Sequence, residues 1–227
     1  MTYNVISTGS KGNAVVIDNR ILIDCGVPYK RLVGIINHLQ LVLLTHIHSD
    51  HFRPSTAAAL HSHRPGLRFG CCEWMLEPLI NAGIPRHCID IYHPGIPAAY
   101  NSALMVRAEN LSHNVPNCGY HITIDGKKMF YATDTGTLDG IKAKDYDLYM
   151  IEANHRRSDL EARISKKQAA GEFSYEIAAI ENHLSQEQAE EWIYQNVGPA
   201  GRYIFLHQHI EKEEVPDGVD RSTSGTT

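Results

Sequence analysis

The sequence predicts a mixed α/β protein, a single layered domain in which helices cover sheets. Three observations carry this. Short β-type apolar runs fill the opening third, helical spacings alternate with such runs thereafter, and no Pro-, Gly- or Ser-rich linker divides the 227 residues. That length suits one large domain. Its expected bounds are residues 1–212, and the Gly/Ser/Thr-rich tail 213–227 is expected to be disordered.

The elements follow in order. "YNVIST" (3–8) reads as a strand leading into the Gly/Ser loop "GSKGN" (9–13). "AVVID" and "RILIDCG" are two short strands separated by the turn residues Asp18 and Asn19. Leu32, Ile35, Ile36 and Leu39 recur at helical spacing, which predicts a helix over 30–39. "QLVLLTH" (40–46) is almost unbroken apolar sequence, as in a strand buried on both faces. "RPSTAAALHSH" (53–63) is a helix begun at Pro54, and "CEWMLEPLINAG" (72–83) another, stopped by Gly83. Strands are expected at 102–110, 118–125 and 127–134, the last two joined by an Asp125-Gly126 hairpin turn. "YDLYMIEAN" (146–154) is a further buried strand, and 158–171 a polar helix. Ser185 and Gln188 fit a capping box that opens the last helix, and "RYIFLHQH" (202–209) closes the ordered part as a strand.

Composition narrows the function classes. A net charge of −5 gives no global basic field for nucleic acid. No apolar run reaches the roughly 18 residues that span a membrane, and the N-terminus lacks the charged start and apolar core of a signal peptide, so a cytoplasmic location is expected. The five cysteines (Cys25, Cys71, Cys72, Cys88 and Cys118) are odd in number and match no disulfide or C-x-x-C zinc spacing, which suits small buried thiols. Fourteen histidines make a metal site worth seeking.

The chemistry concentrates in "LLTHIHSDHF" (43–52), where His46, His48, Asp50 and His51 follow directly on an apolar strand. Imidazole and carboxylate are the usual ligands of zinc and related ions. In an extended segment His46 and His48 point the same way and can grip one ion, and Asp50 and His51 can aim at a second position once the chain turns. A single closed site from this one loop is the alternative, as is a His-rich surface loop. The loop reading leaves unexplained why an apolar strand runs straight into four ligand-type residues, since unpartnered buried imidazoles are costly.

"THIHSDH" resembles the T-H-x-H-x-D-H signature of the metallo-β-lactamase fold superfamily, and the likeness runs over roughly residues 3–210. It implies a four-layer αβ/βα sandwich. "IDCG" (23–26) resembles the family's early strand-end motif, whose aspartate shapes the site loop. "LSHNVPNCGY" (111–120) and "FYATDTG" (130–136) look like the third and fourth metal motifs, and "FLHQH" (205–209) supplies a late histidine. By that resemblance His46, His48 and His113 hold one metal. Asp50, His51 and either His207 or His209 hold a second, and Asp134 bridges the two. Two divalent ions are implied, zinc first, with manganese and iron open. Such a pair, about 3.5–4 Å apart, can lower the pKa of a bridging water toward about 7 and so supply hydroxide. Asp50 would also orient the attacking water.

"STGSKGNA" (7–14), "IEAN" (151–154) and "NHLSQEQA" (182–189) are similar to motifs of a small bacterial nuclease-type subgroup associated with DNA exonuclease activity. Lys11 stands here for a serine, Asn182 for a glycine, and Asn114 for the aspartate that follows the histidine in many relatives. The Gly/Ser loop, with Ser10 and the Asn13 amide, can offer donors to an anion. His183 can donate to a phosphoryl oxygen or protonate a leaving alkoxide, or it can simply pack at the start of the helix. The basic stretch 155–167 reads as a solvated helix face diluted by Asp159 and Glu161. The expected function is a binuclear metal-dependent phosphodiesterase acting on nucleic acid or (cyclic) nucleotides. The alternatives are hydrolysis of a carbon ester, thioester or lactam by the same metals, and a non-catalytic binding module.

Overall fold

The computed structural model describes residues 1–171 and 180–208. Among the described residues, twelve strands form two six-stranded sheets. The first holds, in spatial order, β1 (Tyr3–Ser7), β2 (Ala14–Ile17), β3 (Ile21–Ile23), β4 (Leu41–Leu44), β5 (Arg68–Cys72) and β6 (Ile89–Tyr92). The second runs β12 (Arg202–Leu206), β11 (Leu148–Glu152), β10 (Lys127–Ala132), β9 (Asn117–Ile124), β8 (Leu104–Leu111) and β7 (Pro97–Ala99). The α-helices whose full extent lies among the described residues are α1 (Pro54–His63), α2 (Leu76–Asn81), α3 (Arg157–Ala169) and α4 (Gln186–Asn196).

The period-2 alternation of strand side chains builds the layers. On β4, Leu41 and Leu43 pack between the sheets against Val106, Tyr120 and Met150, while Val42 and Leu44 face the other way, toward Ala57 and Leu60 of α1. On β10 and β11, Met129, Tyr131, Leu148 and Met150 enter the same inter-sheet core. Phe130, Tyr149 and Ile151 turn outward to Ala189, Trp192 and Ile193 of α4. The result is helix, sheet, sheet, helix, the four-layer sandwich expected. Truncating a core side chain such as Leu43 to alanine would cost about 2–5 kcal/mol.

Local expectations hold where the signal is stereochemical. Asp18 and Asn19 both adopt left-handed φ (47° and 55°), as do Asp125 and Gly126 in the β9–β10 hairpin. The capping box is complete: Ser185 Oγ accepts from Gln188 N at 3.2 Å, and Gln188 Oε1 from Ser185 N at 3.0 Å. All five cysteines are buried thiols.

Three expectations need correction. Residues 30–39 form two 3₁₀ turns, Tyr29–Arg31 and Ile36–His38, not a helix. Gly34 lies between them, and the β-branched Val33 and Ile35 lower helix propensity. The 72–83 helix is shortened to a 3₁₀ turn (Glu73–Met75) followed by α2. Strands β5, β6 and β7 were not expected: "RFGCC" carries a glycine and an arginine, and β7 is a three-residue edge strand begun by proline. Residues 209–227, with the expected tail, lie outside the described residues. Among the described residues no helix is long and apolar enough to cross a membrane.

Strand direction fixes where chemistry can gather. β3 is parallel to β4 in one sheet. In the other, β8, β10, β11 and β12 all run one way, with antiparallel β9 between β8 and β10. Their carboxyl ends therefore open on one edge of each sheet, where α/β folds place their ligands.

Candidate metal centre

Each of these strands ends in a polar residue aimed at the cleft. Asp24 follows β3, Thr45 and His46 follow β4, His113 follows β8, Asp134 follows β10, Glu152 closes β11 and His207 follows β12. Three of them take left-handed backbone although they are not glycine: Asp24 at φ 60°, Asp134 at 57° and His207 at 54°. Asp and His tolerate this region better than most residues, and the strain is of order 1–3 kcal/mol per residue. A left-handed residue turns the chain sharply, so the side chain meets the cleft instead of continuing the strand's alternation.

A strap carries the second half of the motif into place. Asn13 N donates to Asp50 O (2.6 Å), Cys25 N to His51 O (2.9 Å), and Gly26 N to Asn13 O (3.0 Å). Gly26 is obligatory here, because a Cβ on it would lie 1.8 Å from Asp50 O.

Three groups of ligand-type residues result. His46, His48 and His113 form the first, His46, His51 and Asp134 the second, and Asp134, Glu152, His183 and His207 the third. Within each group the ligand atoms lie within 4.8 Å of one another. His46 and Asp134 each belong to two groups, so the three make one continuous cluster.

Hydrogen bonds set which ring nitrogens are bare. The buried Asp24 carboxylate accepts from the Thr45 hydroxyl (3.0 and 3.1 Å), so the Thr45 oxygen must accept from His46 Nδ1–H at 2.9 Å. Asp24 Oδ2 also accepts from His51 Nδ1 at 2.6 Å. The Asn182 carbonyl accepts from His113 Nδ1 at 3.2 Å. His46 and His113 therefore turn bare Nε2 atoms inward, and these meet His48 Nδ1 at 3.1 and 3.4 Å. One proton on His48 cannot satisfy both, whereas a cation can. The Asp134 Oδ2 oxygen is buried without a hydrogen-bond partner among the described residues, although His51 Nε2 approaches to 2.8 Å. Converging lone pairs and an orphaned buried carboxylate oxygen are the environment a divalent cation satisfies, and the imidazole–carboxylate donor set fits zinc.

Charge divides along the cluster. Burial lowers the pKa of His46 to about 2 and holds that of His113 below the usual histidine range. Burial opposes charge on His207 too, but hydrogen bonds to Asp134 and Glu152 outweigh it and raise its pKa to about 10. His183 is raised by Glu152 in the same way against burial. Burial disfavours charge on Asp134 and Glu152, yet His51, His207 and His183 beside them keep both pKa values below the carboxylate range. Burial also works against His51, while Asp134 and Asp24 raise it. Asn13 Nδ2, 2.7 Å from His51 Nε2, can only donate and so favours a bare nitrogen there. A cation on that lone pair would satisfy Asp134, and Asn13 Nδ2 still has Gly9 O and Asp50 O as acceptors.

The structure thus brings together His46, His48, His51, His113, Asp134, His183 and His207. Asp50 sits at the margin, its Oδ2 3.7 Å from His51 Nε2. Asn13 does not face open solvent as expected of an anion donor. It is buried, and its amide is engaged by Gly9 N and Gly9 O, by Asp50 O and by His51. Ser10 is exposed on the same loop. His209 lies outside the described residues. Arg157 pairs with Glu161 at 3.8 Å with both side chains exposed, as a solvated helix face would. Two residues carry more than the sequence suggested. Thr45 orients His46, and Glu152 Oε1 holds His183 Nδ1 at 2.6 Å and His207 Nδ1 at 2.9 Å. The available signal for Glu152 was a carboxylate ending an all-apolar strand, as Asp134 follows "FYAT".

Two mixed sheets between helix layers, with this cluster at their carboxyl edges, define a metallo-β-lactamase-fold hydrolase, a member of a superfamily of metal-dependent enzymes. The chain belongs to the beta-lactamase superfamily, whose domain model matches residues 19–208. Solved structures agree in fold. YhfI of Bacillus subtilis, a metallo-beta-lactamase fold protein, superposes with TM-score 0.70 at 18% identity, over 92% of this chain and 87% of its own. The short form of human tRNase Z gives 0.70 at 15% identity, over 92% of each chain. A diphosphatase of the PhnP family gives 0.61 at 13%, over 91% and 86%. No curated protein matches the sequence.

Proposed function

We propose that this chain is a phosphodiesterase acting on nucleic acid or nucleotides with two divalent ions, zinc first among them. The observation that carries the reading is the pairing of His183 with Glu152 beside the bridging position of Asp134. His183 Nδ1 lies 2.6 Å from the buried Glu152 Oε1 and 3.5 Å from Asp134 Oδ1, and its side chain keeps 21% exposure toward the cleft. Two of the three structural neighbours are named as a tRNase and a diphosphatase, which supports a phosphate substrate.

His46, His48 and His113 would hold one ion. His51 and His207 would hold the other with Asp50 at its margin, and Asp134 would lie between the two. When bound, the ions supply an acidified water near neutral pH and polarise the attacked phosphoryl group. The chain does the rest. Asp24 and Thr45 keep Nε2 of His46 and His51 bare, and the Asn182 carbonyl does so for His113. Asp50, half-exposed at the cleft margin, orients the attacking water. A phosphodiester expels an alkoxide, which needs a proton. His183, whose pKa the adjacent Glu152 raises against burial, gives a proton from Nε2 and remains hydrogen-bonded through Nδ1. Ser10 on the exposed loop contributes a donor to the phosphate. The enzyme is expected to work in the cytoplasm.

Purified protein loaded with zinc or manganese should hydrolyse bis(p-nitrophenyl) phosphate, and Asp134→Ala should abolish that. A panel of DNA, RNA, cyclic nucleotides, thioesters and β-lactams names the substrate class. Faster turnover of a thioester or lactam than of every phosphodiester would overturn the proposal.

A further inference from the structure

Three segments of the first sheet meet at its cleft end. β1 and β2 are antiparallel, as are β2 and β3, and β3 is parallel to β4. The segments after β1 (8–13), after β3 (24–31) and after β4 (45–53) therefore open on the edge that carries the metal cluster. They are stitched together. Cys25 bridges to Phe52, Gly26 N donates to Asn13 O at 3.0 Å, and Thr56 Oγ1 donates to Val27 O at 2.7 Å. Gly12 packs so closely on Gly26 that a Cβ would lie 2.6 Å from its carbonyl oxygen. Arg31 reaches across to the end of β1, where Nη1 donates to Ser7 Oγ at 3.1 Å and Nη2 to Ile6 O.

The stitched segments carry four exposed cations, Lys11, Lys30, Arg31 and Arg53. None of them forms an ion pair among the described residues, and Arg31 bonds only neutral oxygens. Carboxylates are scarce around them. Residues 1–64 hold six lysines and arginines but three acids. Asp24 is buried on Thr45 and His51, Asp50 belongs to the cleft, and Asp18 sits with Thr2 at the β2–β3 turn, the opposite end of the sheet. The next acid, Glu73, follows β5, on the other side of β4. In a chain of net charge −5 this is a local concentration of positive charge beside the metal cleft.

We propose that Lys11, Lys30, Arg31 and Arg53 form a rim that binds the backbone phosphates of a nucleic-acid strand beside the scissile bond, which makes a polynucleotide, and not a mononucleotide or cyclic nucleotide, the substrate. The choice of a phosphate strand rests on the phosphodiesterase reading of the adjoining cleft. From β1 to β4 the rim spans three inter-strand spacings, about 14 Å. A strand carries one phosphate per about 3.4 Å of helix axis, so several fit along it. Each phosphate neutralised by a lysine or arginine releases condensed counterions, and that release drives binding. A mononucleotide has one phosphate to give to the metals and leaves the rim idle. Contacts of this kind position a strand without reading its bases, so DNA and RNA both suit it.

The test follows fluorescence anisotropy of short single-stranded DNA and RNA oligonucleotides on full-length Asp134→Ala, with KM and kcat of the active enzyme on the same strands and on bis(p-nitrophenyl) phosphate. Four phosphate contacts predict that log affinity falls with log salt at a slope of about −3. Lys11→Gln combined with Arg53→Gln, both at exposed positions, should halve the slope to about −1.5 and raise KM for the strands. Turnover of bis(p-nitrophenyl) phosphate should not change. A slope near zero, a slope that the double variant leaves unaltered, or poly-glutamate that competes as well as unlabelled DNA or RNA would overturn the rim. Binding with the expected slopes but no hydrolysis of any phosphodiester would overturn the phosphodiesterase reading and leave the rim standing. Phosphodiester hydrolysis with no gain in kcat/KM from a small diester to a strand would do the reverse.

Discussion

His46, His48 and His113 meet with no carboxylate among them, whereas His183 and His207 meet around Glu152 and Asp134. Burial acts on both ends of the cleft in the same direction, against charge on the rings. At the tri-histidine end burial prevails, and the His46 pKa falls to about 2. At the carboxylate end two acidic partners outweigh it, and the His207 pKa rises to about 10. One residue type is thus made a lone-pair donor in one place and a proton carrier a few ångströms away. The variable that decides is distance to a buried carboxylate. A hydrolase needs both, one to hold cations and one to keep a proton for the leaving group.

Breaking the carboxylate end at its proton carrier should have the largest effect on rate. His183→Asn is expected to lower phosphodiester turnover about 100-fold while the chain still binds two ions, measured as kcat alongside metal content. Asp24→Asn attacks what orients the opposite end. Asp24 sets the ring proton of His51 directly and that of His46 through Thr45, so metal affinity should fall about 10–100-fold, read by competition with a chromophoric chelator. Unchanged affinity would remove Asp24 from the account. Gly26→Ala tests the strap that carries Asp50 and His51. With its Cβ 1.8 Å from Asp50 O, the backbone must shift, and urea unfolding should show a loss of about 3 kcal/mol.

The smallest effect is a pH response in metal-stripped protein, and its sign differs between the two ends. A ring whose folded pKa is raised adds stability that is complete below about pH 6.5 and lost as pH rises through the folded value. His207 therefore accounts for a decline between about 6.5 and about 10. A ring whose folded pKa is lowered adds stability above about 6.5 that is lost as pH falls toward about 2, which is the case of His46. Urea unfolding across pH 5–9 should show a flatter alkaline limb in His207→Asn and a flatter acid limb in His46→Asn.

The sequence made the tri-histidine end far more legible than the carboxylate end. His46 and His48 lie two apart after an apolar strand, and that spacing alone places them together. Turns at Asp18-Asn19 and Asp125-Gly126 and the Ser185 cap were readable for a similar reason, since each depends on a few adjacent residues. Glu152 depends on His183, 31 residues away, and on His207, 55 away, and no local pattern encodes that meeting. Asn13 was misjudged because its loop looked free. Only the packing of Gly26 against Asp50 shows that the amide is consumed in holding the strap. The 30–39 segment had helical spacing of apolar residues, but tertiary burial of Leu32, Ile36 and Leu39 is met by two tight turns instead.

The most direct test follows hydrolysis of bis(p-nitrophenyl) phosphate as metal-stripped protein is titrated with zinc, beside a thioester and a β-lactam at the same loadings. Phosphodiester turnover should appear as the second equivalent binds and exceed turnover of the other two. Faster thioester or lactam hydrolysis, or no phosphodiester hydrolysis at any loading, would contradict the proposed function.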